Sequence, residues 1–273
     1  MDVYGLVGDP VGHSLSPPMH EAAYEALGLT ARYVTFGVVA ADLPEAVDGA
    51  RALGVAGLNV TVPHKERVLD LVEPDPLAAR IGAVNTVDLE SPTPTGHNTD
   101  AAGARRALEE GGAALDGATA VVVGAGGAGR AVTVGLVDAG ADVRVANRTV
   151  ERARRLVADL ETTAAETPAT SAHPLDDLSS LLSDATVLVN ATTVGTDEDR
   201  SPVPAGALHE RLTVLDAVYR PRETRLLGEA DERGAATVGG LRMLLHQGAA
   251  AFERWTGETA PTEAMATALA DRL

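Results

Sequence analysis

The sequence predicts an α/β chain of two domains, each built on a mainly parallel sheet with helices packed against it. Three observations point there. Short apolar runs of strand length recur, and helix-rich intervals separate them, which is the alternation a parallel sheet requires. Near the middle, a glycine-rich turn stands directly between one such run and an amphipathic stretch. The length of 273 residues suits two domains or one large one, and 45% apolar residues supply a substantial core.

Composition narrows the function classes. Aromatic residues make up only 3%, so aliphatic and alanine packing must dominate. Cysteine is absent, which excludes disulfides and thiolate metal sites; no metal ligand set is expected. No apolar run reaches the roughly 18 residues a bilayer span needs. The N-terminus lacks the basic and apolar regions of a signal peptide. The net charge of −17 argues against nucleic acid and anionic membranes as partners. Acidic residues are spread along the chain, giving a highly solvated surface suited to a salty cytoplasm. A soluble, halophilic, cytoplasmic protein is expected.

The first elements run in order. Val3–Val7 reads as a buried strand, followed by the loop Gly8–Pro17, with Pro17-Pro18 opening a helix to about Gly28. Ser14 and Ser16 fit two roles equally, helix caps or ligands for a polyol or carboxylate. Tyr33–Val38 is a second strand, and Asp42 with Glu45 resembles a capping box for a helix to Leu53. A third strand spans 57–62, with Asn59 and Thr61 on one face. Pro63 ends it, and Lys65 is expected at the start of the next helix, near enough to line one pocket with Asn59 and Thr61. Lys65 is the only lysine; every other basic residue is arginine. An ammonium can release a proton when its surroundings lower its pKa, which a guanidinium cannot. Val84–Val87 is a fourth strand containing Asn85, a buried amide that needs partners whatever its role. The stretch 91–96 reads as a turn. Asp100 opens a helix to about Glu110, where an acid also suits the helix dipole.

The second half carries the clearest motif. Gly124, Ala125, Gly126, Gly127, Ala128 and Gly129 form G-x-G-x-x-G between the strand 119–123 and a helix to Ala139. That setting is a dinucleotide fingerprint, in which glycines admit a pyrophosphate and the helix N-terminus stabilises its charge. The next strand, 142–146, ends in Asn147, Arg148 and Thr149, with Arg152 one turn on. An NAD site usually carries an acidic residue there; an asparagine and two arginines suit a ribose 2′-phosphate, so NADP is the expected cofactor. Residues 161–174 read as a polar loop. Strands follow at 186–190 and 213–218. Tyr219 fits either a core edge or a hydroxyl donor. Helices are expected to about Arg233, over 241–255 and from about Pro261.

Taken together, several segments resemble the shikimate dehydrogenase family, in order and over nearly the whole chain. They are His13–Pro17, Asn59–Lys65, Gly82–Thr86, Asn98–Asp100, Gly124–Ala131, Asn147–Thr149 with Arg152, Asn190–Thr192, Asp216–Pro221, Gly239–Gln247 and Trp255–Gly257. The resemblance implies reversible reduction of 3-dehydroshikimate to shikimate with NADPH, in aromatic amino acid biosynthesis. It implies a substrate domain of residues 1–99 and 238–273 and an inserted Rossmann-type NADP-binding domain of residues 100–237. It places Ser14, Ser16, Asn59, Thr61, Asn85, Asp100, Tyr219 and Gln247 around the substrate, and adds Thr192, Ala217, Gly240 and Met243 to the cofactor site. Lys65 and Asp100 match the family's catalytic pair, the lysine giving a proton to the forming alkoxide and the aspartate positioning it.

Two departures stand out: Ala101 replaces a common glycine, and Gly129 replaces a common alanine in a position expected to keep room for phosphate. A quinate enzyme using NAD is the near alternative, disfavoured by the arginines and by the two serines. A homodimer is the one macromolecular assembly left open.

Overall fold

In a computed structural model, which describes residues 1–161 and 169–272, the chain divides into two compact units. The first comprises Met1–Thr99 and Leu244–Leu273, and the second Asp100–Met243.

The first unit opens with β1 (Asp2–Gly8), α1 (Ser16–Ala26), β2 (Ala31–Gly37), α2 (Leu43–Ala52) and β3 (Gly57–Val60). It continues with β4 (Glu73–Pro74), α3 (Pro76–Ile81), β5 (Thr86–Asp88) and β6 (Thr95–His97). The strand order is β2-β1-β3-β5-β6-β4. β1 pairs in parallel with β2 and β3, whereas β5 runs antiparallel to both β3 and β6. The sheet is therefore mixed. The expected turn at 91–96 is a tight connection that ends in a strand, and so short a link can join only antiparallel neighbours.

Three local expectations differ from the structure. The fourth strand starts at Thr86, leaving Asn85 just before it. Asp42 precedes α2 without any side-chain cap bond, so the capping box does not form. Lys65 lies in a turn ahead of a short 3₁₀ segment at Val68–Leu71, not in a helix. Its carbonyl is bonded at 2.8 Å by the Val84 amide rather than by the next helical turn. One apolar core lies under β1 and β3, with Leu43 and Val47 of α2 packed against Leu58, Val60 and Val87.

The second unit contains α4 (Asp100–Glu110), β7 (Thr119–Val123), α5 (Gly127–Asp138), β8 (Asp142–Ala146) and α6 (Val150–Glu161). It goes on through β9 (Thr170–His173), α7 (Leu178–Leu181), β10 (Val187–Asn190), β11 (Thr213–Asp216), α8 (Arg225–Asp231) and β12 (Ala236–Gly239). All pairings are parallel, in the order β12-β11-β10-β7-β8-β9. This is the doubly wound arrangement, with its switch point between β7 and β10. Of the polar loop expected at 161–174, residues 162–168 lie outside the described residues, and Thr170–His173 forms an edge strand on β8. Gly135 of α5 admits the backbone of α4: a Cβ there would stand 2.8 Å from the Ala101 carbonyl oxygen.

The remaining helices are α9 (Gly240–Thr256) and α10 (Thr262–Ala270). A return to the first domain at residue 238 would cut through β12, which pairs along β11; the structure returns at Leu244, inside α9. Trp255 of α9 stacks on Tyr4 at 4.9 Å, and its indole N–H donates to the Val87 carbonyl at 3.1 Å. A Cβ at Gly57 would collide with that indole, which explains glycine at the start of β3.

Candidate active site

In the first unit, the strand ends gather a connected set of amides and hydroxyls. Asn59, on β3, donates from Nδ2 to the Asn85 carbonyl at 3.2 Å and to the Thr86 hydroxyl at 3.1 Å. The Asn85 side-chain oxygen accepts from the Thr86 hydroxyl at 2.9 Å and from the Thr99 amide at 2.8 Å. Its Nδ2 donates to the Thr99 hydroxyl at 3.0 Å and to Gln247 Oε1, on α9, at 3.4 Å. The amide demanded by a buried asparagine is thus fully partnered. Hydrogen bonds link Asn59, Asn85 and Gln247.

Ser14 and Ser16 lie at the start of α1. Neither acts as the N-cap, which is Leu15 with no side-chain bond; the Ser14 hydroxyl instead accepts from the Ser16 amide at 3.1 Å. Of the two roles open to these serines, capping through Ser16 is not formed. Thr61 follows β3, and its amide bonds the Val7 carbonyl at 2.9 Å, extending the parallel pairing one residue past the strand. Lys65 is half-buried in the turn beyond. Asp100 is 3% exposed and opens α4, one residue after Thr99, where the chain passes into the second unit.

In the second unit, the fingerprint turn sits at the switch point. Gly124 has φ +113°, a conformation that side chains rarely adopt, and a Cβ there would stand 3.0 Å from both the Ala191 oxygen and the Thr192 methyl. The turn therefore lies against the segment that follows β10. Gly126 opens on space free of neighbours. Gly129 takes part in strand–helix contact, since its missing Cβ makes room for the Gly124 carbonyl. Asn147 accepts from the Ala125 amide at 3.2 Å and donates to the Thr149 carbonyl at 2.8 Å, tying the end of β8 to the glycine turn. Arg148, Thr149 and Arg152 are exposed beside it. The first turn of α5 contains no acidic residue. A pyrophosphate with a nearby 2′-phosphate fits these residues: an uncancelled helix N-terminus, open space at Gly126 and two exposed guanidinium groups.

Sequence reasoning quoted Asn190 and Asp216 only as matching segments, and missed what they do together. Asn190 donates to Asp216 Oδ1 at 2.9 Å and accepts from the Thr192 hydroxyl at 2.7 Å. Asp216 accepts from the Val218 amide at 3.0 Å and the Thr224 hydroxyl at 2.6 Å. Burial raises the Asp216 carboxyl above the usual range, opposed by these hydrogen bonds. The pair holds the loops that carry Thr192, Ala217 and Tyr219. Gly240 completes them, since a Cβ there would press on the Ala217 and Val218 carbonyls. Met243 is buried on the same helix. A polar residue ending each of two central strands was the available signal.

The family model described as "Shikimate dehydrogenase substrate binding domain" matches residues 6–87. That described as "Shikimate / quinate 5-dehydrogenase" matches residues 105–197, and "Shikimate 5'-dehydrogenase C-terminal domain" matches residues 240–270. A shikimate dehydrogenase (NADP(+)) of Haloarcula marismortui is 62% identical over 273 residues, covering 100% of both chains. The chain belongs to the shikimate dehydrogenase family. A crystal structure of a family member in complex with NADP+ superposes with a TM-score of 0.93 at 40% identity, over 100% of this chain and 96% of that one. The Thermus thermophilus shikimate 5-dehydrogenase, solved with NADP(H) and shikimate, gives 0.89 at 41% identity, over 100% of each chain.

Proposed function

We propose that this chain catalyses the reversible, NADPH-dependent reduction of 3-dehydroshikimate to shikimate in the pathway to the aromatic amino acids. The observation that carries the reading is the connected amide set Asn59–Asn85–Gln247 beside the sole lysine, in a chain whose second unit carries an anion-receiving glycine turn. Family membership supplies the substrate class.

When bound, NADPH supplies the hydride. Lys65 gives the proton that the substrate's ketone oxygen needs as its charge develops, a contribution of about 10²–10⁴-fold in rate for a positioned donor. Asp100, buried at its helix start, orients the reacting hydroxyl. Ser14, Ser16, Asn59, Thr61, Asn85, Tyr219 and Gln247 bind the substrate's carboxylate and hydroxyls. Gly124–Gly129, Asn147, Arg148, Thr149, Arg152, Thr192, Ala217, Gly240 and Met243 hold the cofactor, the two arginines selecting its 2′-phosphate. Among the described residues no helix is long and apolar enough to cross a membrane. The enzyme works in the cytoplasm of a salt-adapted cell, as its charge of −17 and its halophilic relatives suggest. A homodimer is the assembly to look for in solution.

Absorbance at the nicotinamide band, recorded at high salt with shikimate or quinate and NADP+ or NAD+, tests this. Shikimate with NADP+ is expected to give the highest kcat/KM. Retained NADP+ binding without turnover, or a preference for quinate with NAD+, would overturn it.

A further inference from the structure

We propose that Tyr33 is a positioning residue of the substrate site, acting through Asn59 by supplying the donor that completes a one-way hydrogen-bond relay ending at Gln247. The proposal rests on the reading above, and its readout separates the two.

Tyr33, on β2, is 4% exposed, and its hydroxyl donates to Asn59 Oδ1 at 2.7 Å. Both hydrogens of the Asn59 amide are already committed, one to a main-chain carbonyl and one to Thr86. Having accepted from Asn59, the Thr86 hydroxyl sends its own proton onward to Asn85 Oδ1. Asn85 is thereby held with its nitrogen toward Thr99 and Gln247. Gln247 in turn donates to the Leu244 carbonyl at 3.0 Å, which keeps its oxygen on the Asn85 side. Every bond in the series points one way, from the phenol to the glutamine. An amide can reverse its donor and acceptor ends by a half turn; main-chain partners oppose that reversal in both, the Asn85 carbonyl for Asn59 and the Thr99 N–H for Asn85. The Leu244 carbonyl holds the Gln247 end, and at the other Tyr33, which also hydrogen-bonds the Ser16 side chain, supplies the donor to the Asn59 oxygen.

One consequence is that Asn59 has no N–H left to offer. Toward substrate it presents at most its remaining oxygen lone pair, and its main part is to hold Asn85 and Thr86.

The ring of Tyr33 is held independently of its hydroxyl. His20 stacks on it at 4.4 Å with an interplanar angle of 1°. His20 is fully buried, with both ring nitrogens unpartnered, and burial lowers its pKa to about 3, so the stack is between neutral rings. Tyr33→Phe therefore deletes only the hydroxyl, leaving the Asn59 oxygen without its donor and the Ser16 side chain without its phenol partner. Such a loss in a buried amide corresponds to about tenfold in affinity.

The test is the steady-state kinetics of Tyr33→Phe against the unmodified enzyme. The expected result is a shikimate KM raised about tenfold, an NADP+ KM within twofold and a smaller change in kcat. Adding Asn59→Ala should then raise the shikimate KM by less than Asn59→Ala does alone, because part of both effects runs through one route. Thr86→Val interrupts the same series one bond on and must give the same split, which covers the case in which Tyr33→Phe does not fold. A wild-type shikimate KM in either variant, or fully additive effects with Asn59→Ala, would overturn the proposal. An unmodified enzyme inactive on shikimate would instead overturn the reading it rests on.

Discussion

Both phenylalanines, the tryptophan and three of the four tyrosines lie in the first unit; the second has Tyr219 alone. The first unit packs Tyr4, Tyr24, Phe252 and Trp255 against one another, and runs a chain of side-chain amides beside them. The second is a sheet of small aliphatic residues, with Val121, Leu188, Val214 and Leu226 in its core and glycines at its closest approaches. The difference teaches how each recognises its ligand. A polyol acid is read by side-chain hydrogen bonds, which need a rigid support. A pyrophosphate is read by main-chain amides, which need side chains out of the way.

The sharpest way to break this comparison is to remove the one chemical group that belongs to the first unit. Lys65→Ala should lower turnover by about 10²–10⁴-fold while NADP+ affinity, measured by nucleotide fluorescence, stays near its original value. Lys65→Arg keeps the charge but not the easily released proton and should also be poor. Turnover unchanged in Lys65→Ala would remove the proton-donor role. The counterpart in the second unit is Arg148→Ala with Arg152→Ala. Losing charge-assisted bonds to a phosphate should reduce the preference for NADPH over NADH by about 10–100-fold and leave NADH kinetics as they were.

How much of this was legible depended on the range of the interactions. The glycine turn was readable because Gly124 meets a purely local demand, a positive φ. The doubly wound sheet followed from local periodicity. The antiparallel β5 was not, since three-residue strands carry too little pattern. Gly129 faces the Gly124 carbonyl, a contact that the motif alone does not distinguish from room for phosphate. The relay from Tyr33 through Asn59 and Asn85 to Gln247 was only half visible. Its asparagines stood out as polar residues in apolar runs, but Tyr33 reads as an ordinary strand aromatic, and its partner is 26 residues away. Gly57 likewise has no local reason to be glycine until Trp255 arrives from the far end of the chain.

Smaller effects distinguish the units through pH, with opposite signs. In the first, burial lowers His20 from 6.5 to about 3, so the unfolded chain takes up the proton first as pH falls. His20 thus contributes fully above about 6.5 and progressively less as pH falls toward about 3. His20→Phe, which preserves a stacked ring, should flatten that part of the unfolding curve. In the second, burial raises Asp216 above its usual 3.8, so the folded state holds the proton longer. Its contribution is full below 3.8 and is lost as pH rises through the raised value. Asp216→Asn should remove that decline. Denaturant midpoints across pH check both; a shared sign would contradict the burial argument.

The most direct measurement is a pair of KM values in a pair of variants, Asn85→Ala and Arg148→Ala. Side-chain recognition in one unit and cofactor recognition in the other predict a clean exchange: Asn85→Ala raises the KM for shikimate alone, and Arg148→Ala raises the KM for NADP+ alone. If either variant raised both constants to a similar degree, the division of labour between the two units would be contradicted.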